Sequence, residues 1–225
     1  MNPLTSARRS FVYRRLSALT PLIGTEDADL APRPASSKPK LKLVDLSVLP
    51  RWGLKGRDAF TCLKMQGAIT PSDDNRAEPQ HDGSLIARLS PGEALILSSV
   101  PDGRSSVSGA IEAMPPEGRG ACYPIPRRDS HCWFIVAGHD APRMFAKLCG
   151  VDLAADQFAS GSIAQTSVAR LSGIVIRHDI GGTVSFSILT ESASAEYLWD
   201  CLIDAMTEFS GAICDIGTLR AGEPR

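Results

Sequence analysis

The stretch RRDSHCW, Arg127 to Trp133, sets a carboxylate, a hydroxyl, an imidazole and a thiol on four successive positions, Asp129, Ser130, His131 and Cys132. Those are the groups of nucleophilic catalysis: a hydroxyl or thiol attacks, an imidazole takes its proton and a carboxylate orients the imidazole. Adjacency argues against that use. Neighbours on a strand point to opposite faces, whereas a triad converges from separate segments. The stretch reads as a loop leading into a strand over 132–137, and it supplies no catalytic residue.

Metal chemistry fares no better. Cys62, Cys122, Cys132, Cys149, Cys201 and Cys214 form no C-x-x-C pair, and His81, His131, His139 and His178 are as scattered. A structural zinc site needs four soft ligands, usually in two closely spaced pairs. Cysteines in apolar settings such as AKLCGV and YLWDCLIDAM read as reduced core residues of a cytoplasmic protein. There is no G-x-G-x-x-G after a strand, no Walker loop and no nucleophile elbow. The sequence therefore assigns this chain no catalytic, cofactor-binding or metal-binding residue.

Stepping from groups to elements, packed structure is expected from about Val44. RWGLKG, Arg51 to Gly56, is a short strand, and DAFTCLKMQGA places Phe60, Leu63 and Met65 at helical spacing behind Asp58 as N-cap. SLIARL and ALILSS are two strands around Pro91-Gly92, the central pair of a type II turn. RSSVSGAIEAM, Arg104 to Met114, is a helix. CWFIVAG is then a strand, DAPRMFAKLCG a helix with Asp140 as N-cap, and IAQTSVARLSGIVIRH and TVSFSILT are strands joined at Gly181-Gly182. In the last helix, Ser194 to Phe209, Leu198, Cys201, Leu202, Ala205 and Phe209 make an apolar stripe.

This order occurs twice. Gly56-x-Asp58-Ala59 and Gly138-x-Asp140-Ala141 are 82 residues apart, and so are the two ARLS tetrapeptides, 87–90 and 169–172. The shared offset predicts an internally duplicated, pseudo-two-fold α+β domain: a first repeat over 46–127, a second over 128–210, a basic arm and Pro/Ser-rich linker over 1–45, and a tail over 211–225. Arg88 and Arg170 then stand at equivalent strand positions, either exposed or holding carboxylates between the repeats. Trp52 and Trp199 are core or interface anchors.

Charge is divided unevenly. Met1 to Arg57 holds 11 Lys and Arg against 4 Asp and Glu, the remainder 13 against 21. A basic arm can lie back on an acidic body or reach an acidic partner; with no interleaved aromatics apart from Phe11 and Tyr13, it does not read as a nucleic-acid binder. The first acid is Glu26, so the start also fits a mitochondrial presequence. Glu196, Asp200, Asp204 and Glu208 fall every four residues along the last helix, a solvated face or a seat for a basic surface. No apolar run reaches membrane-spanning length, so no membrane partner is expected.

SIAQTSVARLSGIVIRHD, VSFSILTESASAEYLWDCL, RWGLKG, LIARLSPGEALIL, LCGVDL and EYLWDCLIDAMTEF together resemble the folate-binding, aminomethyltransferase-like superfamily. Within it they resemble gamma subunits of heterotetrameric sarcosine oxidases, and the small subunits of N-methylglutamate dehydrogenases are similar. The likeness runs from about Leu46 to Phe209 through diffuse patterns. It implies an accessory subunit without catalytic residues, working beside large alpha-type and beta-type flavoprotein subunits and a small zinc-binding delta subunit. Such a complex uses FAD, FMN, NAD and tetrahydrofolate and converts sarcosine to glycine. Folate-using relatives carry a Gly-Gly turn and a closely following acid. Here the corresponding stretch has the single Gly173 and a late Asp179, a departure that argues against folate chemistry in this chain. A stand-alone folate-dependent aminomethyltransferase-like or iron-sulfur-maintenance protein is the alternative.

Overall fold

A computed structural model describes residues 9–17, 39–100 and 103–219. It is an α+β structure of two facing sheets with helices on both outer faces. The strands are β1 (Lys42–Asp45), β2 (Arg51–Lys55), β3 (Arg76–Pro79), β4 (Leu85–Ser90), β5 (Glu93–Leu97), β6 (Tyr123–Pro126), β7 (His131–Ala137), β8 (Ile163–Val168), β9 (Leu171–Arg177), β10 (Ser185–Glu191) and β11 (Ala212–Ile213). The helices are α1 (residues 13–17), α2 (Ala59–Met65), α3 (Ser106–Ala113), α4 (Ala141–Phe145) and α5 (Ala195–Met206).

One sheet runs β3-β4-β5-β2-β6 and the other β8-β9-β10-β7-β1-β11. Apart from β11, the two orders correspond strand for strand. Strand β6 is to β2 what β1 is to β7: Trp52 pairs with Ile96 and Pro126, and Phe134 with Ile188 and Asp45. Strands β1 and β11 lie in the stretches expected as linker and tail, so both ends of the chain close the six-stranded sheet. The expected linker over 18–38 lies outside the described residues.

Every residue of β7 from Cys132 to Ala137 is buried because both faces of the strand are covered. Cys132, Phe134 and Val136 face α4, α5 and the arm, while Trp133, Ile135 and Ala137 pack between the sheets with Leu85, Ala87, Leu95 and Leu97. Helices α2 and α3 close a third apolar cluster with Leu54, Ile86 and Ile96. Full burial of each such aliphatic side chain stabilises the fold by roughly 1.5–3 kcal/mol.

Three local expectations need correction. The two ARLS segments are not equivalent. Ala87 to Ser90 ends a strand, whereas Ala169 (φ 49°) and Arg170 (φ 67°) form the turn between β8 and β9. The arginine in the register position of Arg88 is Arg177, opposite Phe186 as Arg88 is opposite Ala94. The turn at Pro91-Gly92 is not type II, since Gly92 does not take the positive φ that type requires; glycine serves there because a Cβ would meet the Gly56 carbonyl oxygen at 3.2 Å. Finally, Asp58 and Asp140 stand at the N-cap positions of α2 and α4 without capping them through their side chains. Asp58 Oδ2 instead accepts from Ala121 N–H at 2.7 Å, and Asp140 pairs with Arg143 at 3.1 Å.

Candidate functional site

The sheets meet along β3 and β8, where Arg76 and Ser162 form an antiparallel bridge and Arg76 Nη1 donates to Ser162 Oγ at 2.6 Å. A cleft of about 230 Å3 opens beside this seam, lined among others by Arg76, Glu78, Ser84, Ser98, His178 and Asp179. Here β9 brings the late acid of the sequence into a concave site.

That acid is already engaged. Arg177, at the end of β9 and 7% exposed, clamps Asp179 with Nε and Nη2 at 3.1 and 3.0 Å. Its Nη1 donates to the carbonyls of Phe158 at 2.6 Å and Ala155 at 3.2 Å. The pair is a bidentate, charge-assisted lock between strand end and loop. Burial lowers His178 to about 4 even though Asp179 opposes the shift, so the imidazole is neutral at physiological pH. Ser98 Oγ is buried with no hydrogen-bond partner among the described residues. The cleft can accept a small polar group by hydrogen bonding. Its volume is below the roughly 300–1,000 Å3 of sites that take larger ligands, and its acid is neutralised; these residues do not fit a folate.

The Asp129-Ser130-His131-Cys132 cluster is dispersed by the pleat. Ser130 Oγ lies 2.8 Å from His131 Nδ1, but Cys132 is fully buried on the other face, 3.2 Å from Thr190 Oγ1. His131 is held down at about 4 by burial and by the charges of Arg127 and Arg51, against Glu93, and burial pushes the Cys132 thiol up. Arg51, 1% exposed, fixes the loop by donating to the carbonyls of Ser47, Leu49, Arg128 and His131. Among the described residues no three His, Cys, Asp or Glu side chains come together to hold a metal ion. No helix there is long and apolar enough to cross a membrane.

The arm meets the acidic stripe. Arg15 Nη2 lies 2.7 Å from Asp200 Oδ2, and its Nε 4.0 Å from Glu196 Oε2. Val12 and Leu16, one helical turn apart, enter the core against α5 and the six-stranded sheet. Ser10 Oγ donates to the buried Asp45 carboxylate, whose carboxyl burial pushes up against the hydrogen bonds from Ser10 and Ser47. Further along the stripe, Glu208 pairs with Lys147 at 2.6 Å. Trp199 is buried edge-on to Phe134, with centroids 5.1 Å apart. Trp52 is half-buried and donates from Nε1 to Glu112. The ion pairing of the arm with the stripe follows one of the two readings of its charge; the burial of Val12 and Leu16 went unread, although their i, i+4 spacing beside Arg15 carried its signal.

No protein-family model matches the chain, and no curated protein matches it. The fold itself is shared with solved structures. It is similar to a chain of the heterotetrameric sarcosine oxidase from Corynebacterium sp. U-96, solved in complex with pyrrole 2-carboxylate: TM-score 0.66 and 20% identity, over 92% of this chain and 98% of that one. It is also similar to the glycine cleavage system aminomethyltransferase T from Bartonella henselae, at TM-score 0.64 and 15% identity. That likeness takes in 96% of this chain and 62% of the aminomethyltransferase.

Proposed function

We propose that this chain is an accessory, non-catalytic gamma-type subunit of an oxidoreductase assembly of the sarcosine oxidase kind. The carrying observation is the extent of the likeness: 98% of one chain of a heterotetrameric enzyme is matched by 92% of this one, so the two are of nearly equal length. The aminomethyltransferase, by contrast, is matched over 62% of its length. In this reading FAD, FMN, NAD and tetrahydrofolate are held by large alpha-type and beta-type flavoprotein subunits, with a zinc-binding delta subunit beside them. The assembly demethylates sarcosine or a related N-methyl amino acid in the cytoplasm and passes the one-carbon unit to tetrahydrofolate. The partners decide whether the amine is sarcosine or N-methylglutamate.

The matching strand orders, with Gly56 and Gly138 in one conformation, support an internally duplicated domain whose second copy has turned its acid to structural use. A stand-alone folate-dependent aminomethyltransferase or iron-sulfur-maintenance protein draws support from the second likeness, but the Arg177–Asp179 lock weighs against it. Purification of the tagged, full-length chain from its source decides between them. Co-purification with two large yellow polypeptides that oxidise an N-methyl amino acid is the expected result; a colourless single chain that binds tetrahydrofolate in calorimetry would overturn it.

A further inference from the structure

The outer face of the five-stranded sheet carries a groove of about 430 Å3 between α3 and β6. Trp52, Leu54 and Ile96 floor it, Ile111 and Ile125 wall it, and Glu112 stands at its rim. Its floor is the register counterpart of the place where the arm lies: Trp52, Ile96 and Pro126 occupy the positions that Phe134, Ile188 and Asp45 hold in the other sheet. On that other sheet Val12 and Leu16 fill the space, Ser10 reaches Asp45, and Arg15 meets the acids of the neighbouring helix. On this one nothing among the described residues fills the groove, with Trp52 and Ile125 half-buried and Tyr123 beside it 64% exposed.

We propose that this groove seats an arm-like segment of a partner subunit: one helical turn with two apolar side chains four positions apart and a cationic side chain between them that pairs with Glu112. This rests on the subunit reading above. The described part of the chain's own arm is committed elsewhere, since Val12 and Leu16 are buried at 0% and 6% exposure and Arg15 is bound at 2.7 Å; a second copy therefore has no free Val12-Arg15-Leu16 turn to offer. Strand addition is disfavoured at the same edge, because β6 reads Tyr-Pro-Ile-Pro and its two prolines have no N–H to give. Glu112 is exposed and takes the Trp52 indole N–H on Oε1, so its carboxylate keeps acceptor capacity for a cation. Arg51, at the groove's far end, is held by backbone carbonyls.

The test uses the full-length chain expressed in its source. Glu112→Lys alters an exposed residue and Ile125→Arg a half-buried edge residue, so circular dichroism melts should stay near that of the parent chain. Each variant is expected to lose about tenfold in recovery of the partner subunits at physiological salt. A photo-crosslinking amino acid at position 112 should join the parent assembly through a partner peptide with two apolar residues four apart and a Lys or Arg between them. Folded Glu112→Lys and Ile125→Arg chains that retain every partner, or a crosslink to a second copy of this chain, would overturn the groove assignment and leave the subunit reading standing. A parent chain that purifies alone would overturn both.

Discussion

Gly56 and Gly138 make the same contacts in the two sheets. Each takes a positive φ, 131° and 144°, and each donates its N–H to a carbonyl of the adjoining hairpin, Gly92 at 2.8 Å and Val184 at 2.9 Å. A Cβ would fall 1.9 Å from the Ala121 carbonyl oxygen in the first case and 2.1 Å from that of Lys40 in the second. Any side chain there meets both a disfavoured backbone and an immovable oxygen. Gly56→Ala and Gly138→Ala should each lower the unfolding free energy by at least about 2 kcal/mol in urea titrations. Gly150→Ala, at a negative-φ site open to solvent, should stay within about 0.5 kcal/mol.

The arm is held by apolar burial more than by charge. Leu16→Ala should expose residues 9–17 to protease and speed their amide exchange by about tenfold or more, because a buried leucine is lost from a one-turn helix. Asp200→Ala removes an ion pair with partners about half exposed and should cost under about 1 kcal/mol, with the difference fading at high salt. Asp204, exposed on the same stripe and without an ion pair among the described residues, should tolerate alanine unchanged.

Asp82 fastens the β3–β4 connection to the start of α3. Its Oδ1 accepts from Ser84 N–H and Oγ–H at 2.9 and 2.6 Å, and its Oδ2 from Ser106 N–H and Oγ–H at 2.7 and 2.8 Å. Partial burial alone would raise this carboxyl; the four hydrogen bonds outweigh it and hold it at about 2, below its ordinary 3.8. A depressed carboxylate contributes stability above its unfolded pKa and loses it as the folded group takes a proton. Asp82→Asn should therefore cost about 1 kcal/mol at pH 7, after allowance for solvent screening. The gap between variant and parent should close as pH falls from about 4 towards 2 in denaturation curves.

Of the three arginines Arg88, Arg170 and Arg177, the first and last do the same task. Arg88 holds Asp74 at 2.7 Å and lies over the Phe60 ring at 4.4 Å, tying the loop before β3 to the sheet; Arg177 ties the loop before β8. Arg177→Ala strips a nearly buried lock and should cost about 3 kcal/mol. Arg170→Ala, at an exposed turn, should stay within about 0.5 kcal/mol, and Arg170→Gly should stabilise slightly by relieving its φ of 67°.

What the sequence made legible was local. The unbroken apolar run of β7 and the stripe of α5 follow from burial, and the two G-x-D-A turns from a backbone that only glycine tolerates. The β8–β9 turn escaped because Ala169 and Arg170 carry none of the residue types that favour positive φ, so ARLS passed for strand. Strand β3 carries no apolar signal of its own, since it lies on a sheet edge and buries only Ala77. The pairing of β1 with β7 and of β6 with β2 is non-local, and no nearby residue announces it. Asp179 was visible as a displaced acid, while its clamp by Arg177 depended on where β9 ends.

The five-stranded sheet is built from one uninterrupted segment, residues 51–126, whereas the six-stranded sheet needs β1 from near the start and β11 from near the end. On the ribosome, the first sheet is complete in sequence while its partner is still missing β7 to β11. Its inner face, with Leu85, Ala87, Leu95 and Leu97, must then wait uncovered, and β1 waits with it for the strand it will pair with. A first sheet that forms as it emerges is thus a half-sandwich with one oily face, the stage at which a chaperone, or a misplaced second copy, finds most to hold.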